Sequence, residues 1–170
     1  MRNESSFDVA DVQVERATTV KSEVMAALTK RAKNPVLVTG GRLLGDSRLV
    51  DYAVKIYDKE IPIIATGASS KPLIQRGVSV QSAVFTLHHI TQYMLDREWM
   101  GFDNKGGYDV VLYLGIEPYL LSRMLSALKH FSEITTLSID RFYQPHATYS
   151  FPNLFEDEHY SEIEKMIDNL

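Results

Sequence analysis

Two short stretches decide the fold of this chain: PVLVTGG at residues 35–41 and IPIIATG at residues 61–67. Each is an apolar run that stops at glycine, and residues 47–60 between them carry apolar side chains at helical spacing. Both runs are apolar along their length, which is typical of strands that helices cover on both faces. Strand, helix and strand in this order form a right-handed βαβ unit, so the sequence predicts a parallel sheet.

The same pattern extends through the rest of the chain. Residues 109–114 and 134–139 predict two more strands, and residues 147–150 a further short one. Pro118 opens a helix at a position where proline is tolerated. The less regular segments are predicted as a loop or short turn at residues 71–77, a short strand at 78–80 and a turn-rich loop at 96–108.

The other predicted helices are amphipathic. The first covers residues 20–33, with Val24 on its buried stripe and one of the two preceding threonines as its cap. A later helix covers residues 82–95 and turns Val84 inward. The acidic stretch at the end of the chain closes the fold as a further helix.

We therefore predict an α/β fold with a three-layer, Rossmann-like parallel sheet. Residues 18–170 form a single domain, because no internal repeat or low-complexity tract divides them. Residues 1–17 show no sustained periodicity and are predicted to be an N-terminal arm.

The composition excludes several kinds of chemistry. The 170 residues include no cysteine, so this chain cannot supply thiolate ligands to zinc or iron–sulfur clusters, nor a thiol nucleophile. If the protein serves redox metabolism, another chain or an organic cofactor must carry the electrons.

Charge and hydropathy narrow the possible partners. The formal net charge is −4, and residues 156–170 alone sum to −5, which leaves a body of +1 and an acidic tail. A nucleic-acid binder that relies on a general basic field is therefore excluded. No signal peptide or membrane-spanning run is present in the sequence, so we expect a cytoplasmic protein without a membrane partner.

Four predicted strands end in polar or glycine-rich loops. In a parallel sheet the carboxyl ends of the strands share one edge, where ligands commonly bind. Glycines and hydroxyls there could cradle a nucleotide, although GGRLLG at residues 40–45 is not the GxGxxG fingerprint. Because any tight turn between a strand and a helix favours glycine, a purely structural role is an equal alternative. The loops are residues 39–41, 66–70, 114–115 and 139–141.

No catalytic residue and no metal site is predicted. His88 and His89 are adjacent on a helix and point about 100° apart, so they do not share a face. His159 and Glu162 have the right spacing, but we interpret them as part of a solvated acidic face. The sequence also lacks the GxSxG motif of a serine nucleophile.

Five aromatic residues cluster within a stretch that otherwise resembles a loop. They could cap the edge of the sheet, which is the favoured interpretation, or they could anchor a partner protein. The residues are Phe142, Tyr143, Tyr149, Phe151 and Phe155.

The order of these elements resembles known families. Residues 33–41, 61–67 and 108–115 resemble the central domain of thiamine-diphosphate enzymes, which has the deoxyhypusine-synthase-like NAD/FAD-binding fold. Over residues 18–170 the chain is similar to the epsilon subunits of the archaeal acetyl-CoA decarbonylase/synthase complex, also called the carbon monoxide dehydrogenase/acetyl-CoA synthase complex. The supporting stretches are residues 61–70, 99–103, 108–109, 125–127, 147–151, 153–154 and the last helix.

This resemblance implies a non-catalytic accessory subunit. It would accompany the nickel–iron–sulfur alpha subunit, as an alpha2-epsilon2 heterotetramer within a larger complex, and could form a homo-oligomer when isolated. It would stabilise alpha or assist electron transfer to FAD; the alternative is an independent FAD- or NAD-dependent enzyme. The positions that would face the FAD are Gly40, Gly41, Gly67, Ala68, Ser69, Ser70, Gly115, Asp140 and Arg141.

Overall fold

A computed structural model describes residues 16–170, and within that range six strands form one parallel sheet in the order β1-β6-β5-β4-β2-β3. This confirms the predicted α/β class with a parallel sheet. The strands are β1 (Thr18–Thr19), β2 (Pro35–Thr39), β3 (Ile63–Ala65), β4 (Val110–Leu114), β5 (Thr135–Ser138) and β6 (Tyr149–Ser150). The helices are α1 (Ser22–Arg31), α2 (Ser47–Tyr57), α3 (Ser70–Gln75), α4 (Leu87–Leu95), α5 (Pro118–Phe131) and α6 (Glu156–Asp168).

Helices cover both faces of the sheet, as the uniformly apolar strands predict. Leu37 on β2 packs in a cluster with residues of α1, α2 and α6, such as Ile163. Its neighbours Val36 and Val38 point the other way and pack with residues of α4 and α5, such as Leu125. We call these two sides the α1–α2–α6 face and the α4–α5 face; the latter includes the loop of residues 96–108. The finer assignment to the deoxyhypusine-synthase-like group stays a prediction.

The start of the described chain differs from the prediction. Thr18 and Thr19 do not cap α1; they form β1, which pairs with β6 at the edge of the sheet. Most of the predicted N-terminal arm, residues 1–15, lies outside the described residues. The proposed division of the chain at residue 18 therefore stays a prediction.

The predicted buried stripe of α1 is wrong at Val24, whereas Leu28 and Ala32 further along the helix do pack against the core. Val24 is 44% exposed, and Met25, Ala26 and Thr29 face the core instead. Ser22 also lies on the buried side of α1, and its hydroxyl donates a hydrogen bond to Glu162 on α6. The inward side of α1 thus includes a polar residue, which apolar periodicity does not report.

The segment after β3 also differs from the prediction. The expected loop at 71–77 is largely the helix α3, and residues 78–80 form no strand. Val84 is 81% exposed, because residues 81–82 run along β3 before α4 begins. Gln81 N donates to Ile63 O at 2.8 Å, and Ala65 N donates to Ser82 O at 3.0 Å. These bonds to the edge of the sheet prevent the helix from starting early.

No helix among residues 16–170 is both long and apolar enough to cross a membrane.

Candidate functional site

The topology places all four predicted loops along one edge of the sheet, three of them after adjacent strands. β2 and β4 are neighbours in the sheet, although the chain runs from β2 outward to β3 and from β4 in the opposite direction to β5. This is a topological switch point, where parallel sheets commonly bind ligands. Gly40–Gly41, Gly115 and Asp140–Arg141 follow the adjacent strands β2, β4 and β5, whereas residues 67–70 follow the outer strand β3.

Two of the predicted glycines close this crevice instead of opening it. Gly40 N donates to Leu114 O at 3.0 Å, and Arg42 N donates to Gly115 O at 2.9 Å. A Cβ atom on Gly40 would lie 2.5 Å from Gly115 O, and one on Gly115 would lie 2.2 Å from Leu43 Cδ1. Gly115 also has φ +71°, which other residues rarely adopt. Close packing of two loops therefore accounts for both glycines.

A buried carboxylate fills the anion-binding position that remains. Asp140 Oδ1 accepts a hydrogen bond from Gly115 N at 2.7 Å, and Oδ2 accepts one from Ile116 N at 3.3 Å. These two N–H groups precede α5, where a ligand phosphate would otherwise bind. Burial raises the pKa of Asp140 to about 6, while the same N–H groups oppose that rise. Because a ligand pyrophosphate would meet this carboxyl group and Leu43, the residues present do not fit a dinucleotide in the crevice.

The loop after β3 is held by its own hydroxyl groups. Ser69 is buried, and its hydroxyl lies 3.1 Å from Thr39 O and 3.0 Å from Thr66 O. Ser70 Oγ donates to Gly67 O at 2.8 Å. Gly67 and Ala68 are exposed. The two serines thus fasten this loop to itself and to the end of β2.

A cavity of about 850 Å³ lies beside the crevice, large enough for a nucleotide-sized ligand. It is enclosed by the loop that leads into α2, the end of β5 and the first turn of α6. Of the predicted site residues, Gly41, Asp140 and Arg141 line it. The sequence reasoning missed the other lining residues, which are Arg42, Gly45, Asp46, Ser47, Arg48, Leu49, Glu156, Asp157, His159 and Tyr160.

The arginines of this cavity are engaged by the protein itself. Arg141 Nη1 lies 3.5 Å from Glu156 Oε2, and the Arg48 guanidinium lies 4.9 Å from the centre of the Tyr160 ring. Arg42 lies 5.5 Å from the centre of the Phe142 ring. Such contacts hold the guanidinium groups in place and make them less available to bind a ligand.

The acidic groups of the cavity outnumber the arginines. Asp46 caps α2 by accepting from Arg48 N at 3.0 Å, and its Oδ2 lies 2.6 Å from the Tyr160 hydroxyl. The same hydroxyl lies 2.9 Å from Glu156 Oε1. Burial, followed by these two carboxylates, raises the pKa of Tyr160. The cavity is polar, and its acidic side chains neutralise its arginines, so it has no marked preference for a phosphate.

His159 lies in the wall of this cavity, and its predicted place on a solvated face is wrong. It is buried on α6, and its Nε2 lies 2.8 Å from Ile139 O. Burial lowers the pKa of His159 to about 4, so the imidazole is neutral at pH 7 and donates Nε2–H to that carbonyl. Glu162 is engaged elsewhere, by Ser22 and Lys165. The two residues therefore do not share a ligand.

The geometry does not contradict the prediction that neither histidine pair, His88 with His89 or His159 with Glu162, binds a metal ion. Both His88 and His89 are exposed, and His89 Nδ1 lies 2.9 Å from Thr86 Oγ1. Over residues 16–170, no group of three His, Cys, Asp or Glu side chains could hold a metal ion together.

The aromatic residues between positions 142 and 155 do not all have the same environment. Tyr143 and Phe151 are buried in the core, which confirms the capping interpretation for these two. Phe142 packs under Arg42 and Arg141, and Phe155 is largely exposed beside the cavity.

Fold and site together define a class of protein: a parallel α/β domain whose own side chains fill the crevice at its topological switch point. Within this class, the chain belongs to the family described as CO dehydrogenase beta subunit/acetyl-CoA synthase epsilon subunit, whose model matches residues 2–167. The resemblance seen in the sequence is thereby confirmed.

Individual relatives match the chain over most of their length. It is 58% identical to acetyl-CoA decarbonylase/synthase complex subunit epsilon 1 of Archaeoglobus fulgidus, over 96% of this chain and 91% of the relative. It is 36% identical to subunit epsilon 2 of Methanosarcina mazei, over 92% and 91%. It is 34% identical to subunit epsilon of Methanothrix soehngenii, over 98% and 91%.

Proposed function

We propose that this chain is an accessory subunit of an acetyl-CoA decarbonylase/synthase complex and carries no redox centre of its own. The observation that carries the proposal is its 58% identity to an epsilon subunit along 91% of that subunit's length. The absence of cysteine supports this proposal, because nickel and iron–sulfur clusters need thiolate ligands. Only another chain of the complex can supply them.

Stabilisation of the cluster-bearing alpha subunit is the role that we put first. A subunit that binds the folded form of its partner stabilises that form by mass action. Electron transfer to FAD is the second role, and it is less favoured because Asp140 and Leu43 fill the crevice where a dinucleotide would lie. An FAD contacted by this chain would have to use the neighbouring cavity or a site completed by the partner.

The test of the accessory role is co-expression with the alpha subunit from the same organism. We expect the two chains to co-purify, with a light-scattering mass of two alpha and two epsilon subunits. Thermal inactivation of CO oxidation should be faster for alpha alone than for the pair. CO oxidation or nucleotide-dependent turnover by the isolated chain would contradict the proposal and favour the independent enzyme.

The flavin role has its own test, which is calorimetric titration of FAD into the isolated chain and into the pair. We expect no heat with the isolated chain. An Asp140→Asn variant serves as the control, because it removes the charge in the crevice at nearly constant size. Binding of FAD by the isolated wild-type chain would contradict this expectation and would give the chain a flavin site of its own.

A further inference from the structure

The cavity beside the crevice contains hydrogen-bonding groups that the protein itself does not use. His159 lies in its wall and is only 3% exposed. The ring donates Nε2–H to Ile139 O, whereas Nδ1 has no hydrogen-bond partner among residues 16–170. In a neutral imidazole with a protonated Nε2, Nδ1 carries a lone pair and accepts hydrogen bonds. His159 therefore presents an acceptor that remains for a ligand.

Arg42 supplies hydrogen-bond donors in the same cavity. Its guanidinium lies 5.5 Å from the centre of the Phe142 ring, and its N–H groups reach no acceptor within the described part of the chain. Burial is the main cause of the low pKa of His159, and the positive charges of Arg141 and Arg42 lower it further. The unused acceptor and the unused donors therefore belong to the same site.

Side chains of both charges line the cavity, which selects against a charged ligand. The carboxylates of Asp46, Glu156 and Asp157 oppose an anion, and the three arginines oppose a cation in the same way. Asp140 adds a fourth carboxyl group, whose oxygens already accept hydrogen bonds from two backbone N–H groups. An uncharged ligand avoids both kinds of repulsion.

The mixture of acceptors and donors favours hydroxyl groups on the ligand. A hydroxyl group donates one hydrogen bond and accepts others, so it can satisfy a carboxylate or imidazole and a guanidinium at once. The volume of about 850 Å³ accommodates a ligand with one or two sugar rings. Phe155 beside the cavity is 54% exposed, and the C–H groups of a sugar can pack against its ring. A polyhydroxylated ligand matches both the size and the chemistry.

We propose that this cavity binds a small, uncharged ligand rich in hydroxyl groups, such as a monosaccharide, with His159 Nδ1 as acceptor and the Arg42 guanidinium as donor. Phosphate groups would meet the carboxylates of the cavity, so nucleotides fit it less well than neutral sugars. The inference does not depend on the accessory role, because every lining residue belongs to this chain.

The test is an NMR titration of the isotope-labelled chain at pH 7 with three probes of similar size. Glucose is neutral, glucosamine is cationic and glucuronate is anionic. The signals to follow are the backbone amides of Gly41 and Gly45, which line the cavity, and His159 Nδ1. We expect glucose to shift all three signals with a dissociation constant of about 1 mM, and the charged probes to bind at least about 10-fold more weakly.

Two variants test the assigned contacts. Gln in His159→Gln retains a donor for Ile139 O but lacks the acceptor at the position of Nδ1, and Arg42→Met removes the donors while it keeps an apolar stem. We expect each to weaken glucose binding about 10-fold. The matched controls are His88→Gln and Arg123→Met, which change exposed residues on α4 and α5. They should stay within about 2-fold of wild type.

Several outcomes would overturn the proposal. One is the absence of shifts in wild type at glucose concentrations up to about 50 mM. Tighter binding of glucuronate or glucosamine would show an anion or a cation site instead. Unchanged glucose binding in both cavity variants would overturn the assigned contacts. If His159→Gln has a lowered melting temperature, Arg42→Met decides, because its side chain is only partly buried. None of these results affects the accessory role, which co-purification with alpha tests separately.

Discussion

Each face of the sheet covers a buried apolar core, but the two faces differ outside. On the α1–α2–α6 face, Lys55 Nζ lies 3.3 Å from Glu164 Oε1, Lys165 Nζ lies 2.8 Å from Glu162 Oε1, and Arg76 pairs with Asp51. On the α4–α5 face, the helices expose the aromatic residues Tyr93, Tyr119 and Phe131, whereas the exposed large apolar residues of α1 and α3, Val24 and Ile74, are aliphatic. Exposed ion pairs contribute only about 0–1 kcal/mol each. The difference therefore concerns what each face can contact, and much less how stable it is.

Two buried ionisable groups, Asp140 and His159, line the cavity at the carboxyl edge of the sheet. Asp140 binds the N–H groups that lead into α5, and His159 on α6 binds the carbonyl of Ile139. Burial raises the pKa of the first and lowers that of the second. Both shifts have the same cause, because burial disfavours the charged form of either group.

The largest expected effect tests whether the two cores are equal. Leu125 on α5 and Ile163 on α6 are both fully buried, one under each face. We expect Leu125→Ala and Ile163→Ala each to lower the free energy of unfolding by about 2–5 kcal/mol, because each change leaves a cavity. Urea denaturation of both variants is the measurement. A cost below about 1 kcal/mol for Leu125→Ala alone would show that the α4–α5 face is loosely packed inside as well.

The next effect separates the two buried ionisable groups by pH. The folded pKa of Asp140 is raised to about 6, so its contribution to stability is present at low pH and is lost as the pH rises from about 4 to 6. The folded pKa of His159 is lowered to about 4, so its contribution is present above about pH 6.5 and is lost as the pH falls towards 4. Each change amounts to about 3 kcal/mol, and the two oppose each other.

A variant that removes one of the two groups should show the pH dependence of stability that the other group causes. In Asp140→Asn, the free energy of unfolding should rise with pH between about 4 and 6.5; in His159→Gln it should fall over the same range. Urea denaturation at half-unit pH steps is the measurement, with wild type expected to vary less than either variant. Parallel pH profiles for the three proteins would be inconsistent with these two pKa shifts.

The smallest effect concerns the surface charges. Lys55→Ala removes an exposed ion pair of the α1–α2–α6 face, and Arg123→Ala removes an exposed charge of the α4–α5 face. We expect either change to alter the free energy of unfolding by less than about 0.5 kcal/mol, as is usual for exposed sites. Chemical denaturation in low and high salt checks this. A loss of more than about 1 kcal/mol at Lys55 would mean that ion pairs stabilise that face after all.

The sequence predicts the central strands well, because strands that are buried on both faces are apolar along most of their length. β2, β3 and β4 each coincide with an apolar run that stops at a glycine, and β5 lies within the strand predicted at residues 134–139. Helix rotation was harder to predict. The buried side of α1 includes Ser22, whose hydroxyl donates a hydrogen bond to Glu162, 140 residues away in sequence.

The sequence likewise predicts only part of the candidate site. Gly41, Asp140 and Arg141 could be placed together, because the carboxyl ends of adjacent parallel strands meet at one edge. His159 and Tyr160 could not, since nothing in an acidic helix pattern indicates that its first turn folds back over that edge. Asp140 was expected to face a ligand, and the structure shows that it accepts the backbone N–H groups a phosphate would have used.

The position of β1 has a consequence for synthesis on the ribosome. β1 pairs with β6, and the carbonyl of Ala17 accepts a hydrogen bond from the Tyr143 hydroxyl, 126 residues further along the chain. The first strand to emerge must therefore wait for nearly the whole polypeptide before it can join the sheet. Contacts so distant in sequence form late and slow down folding. Completion of this edge is consequently a late step in the folding of the subunit.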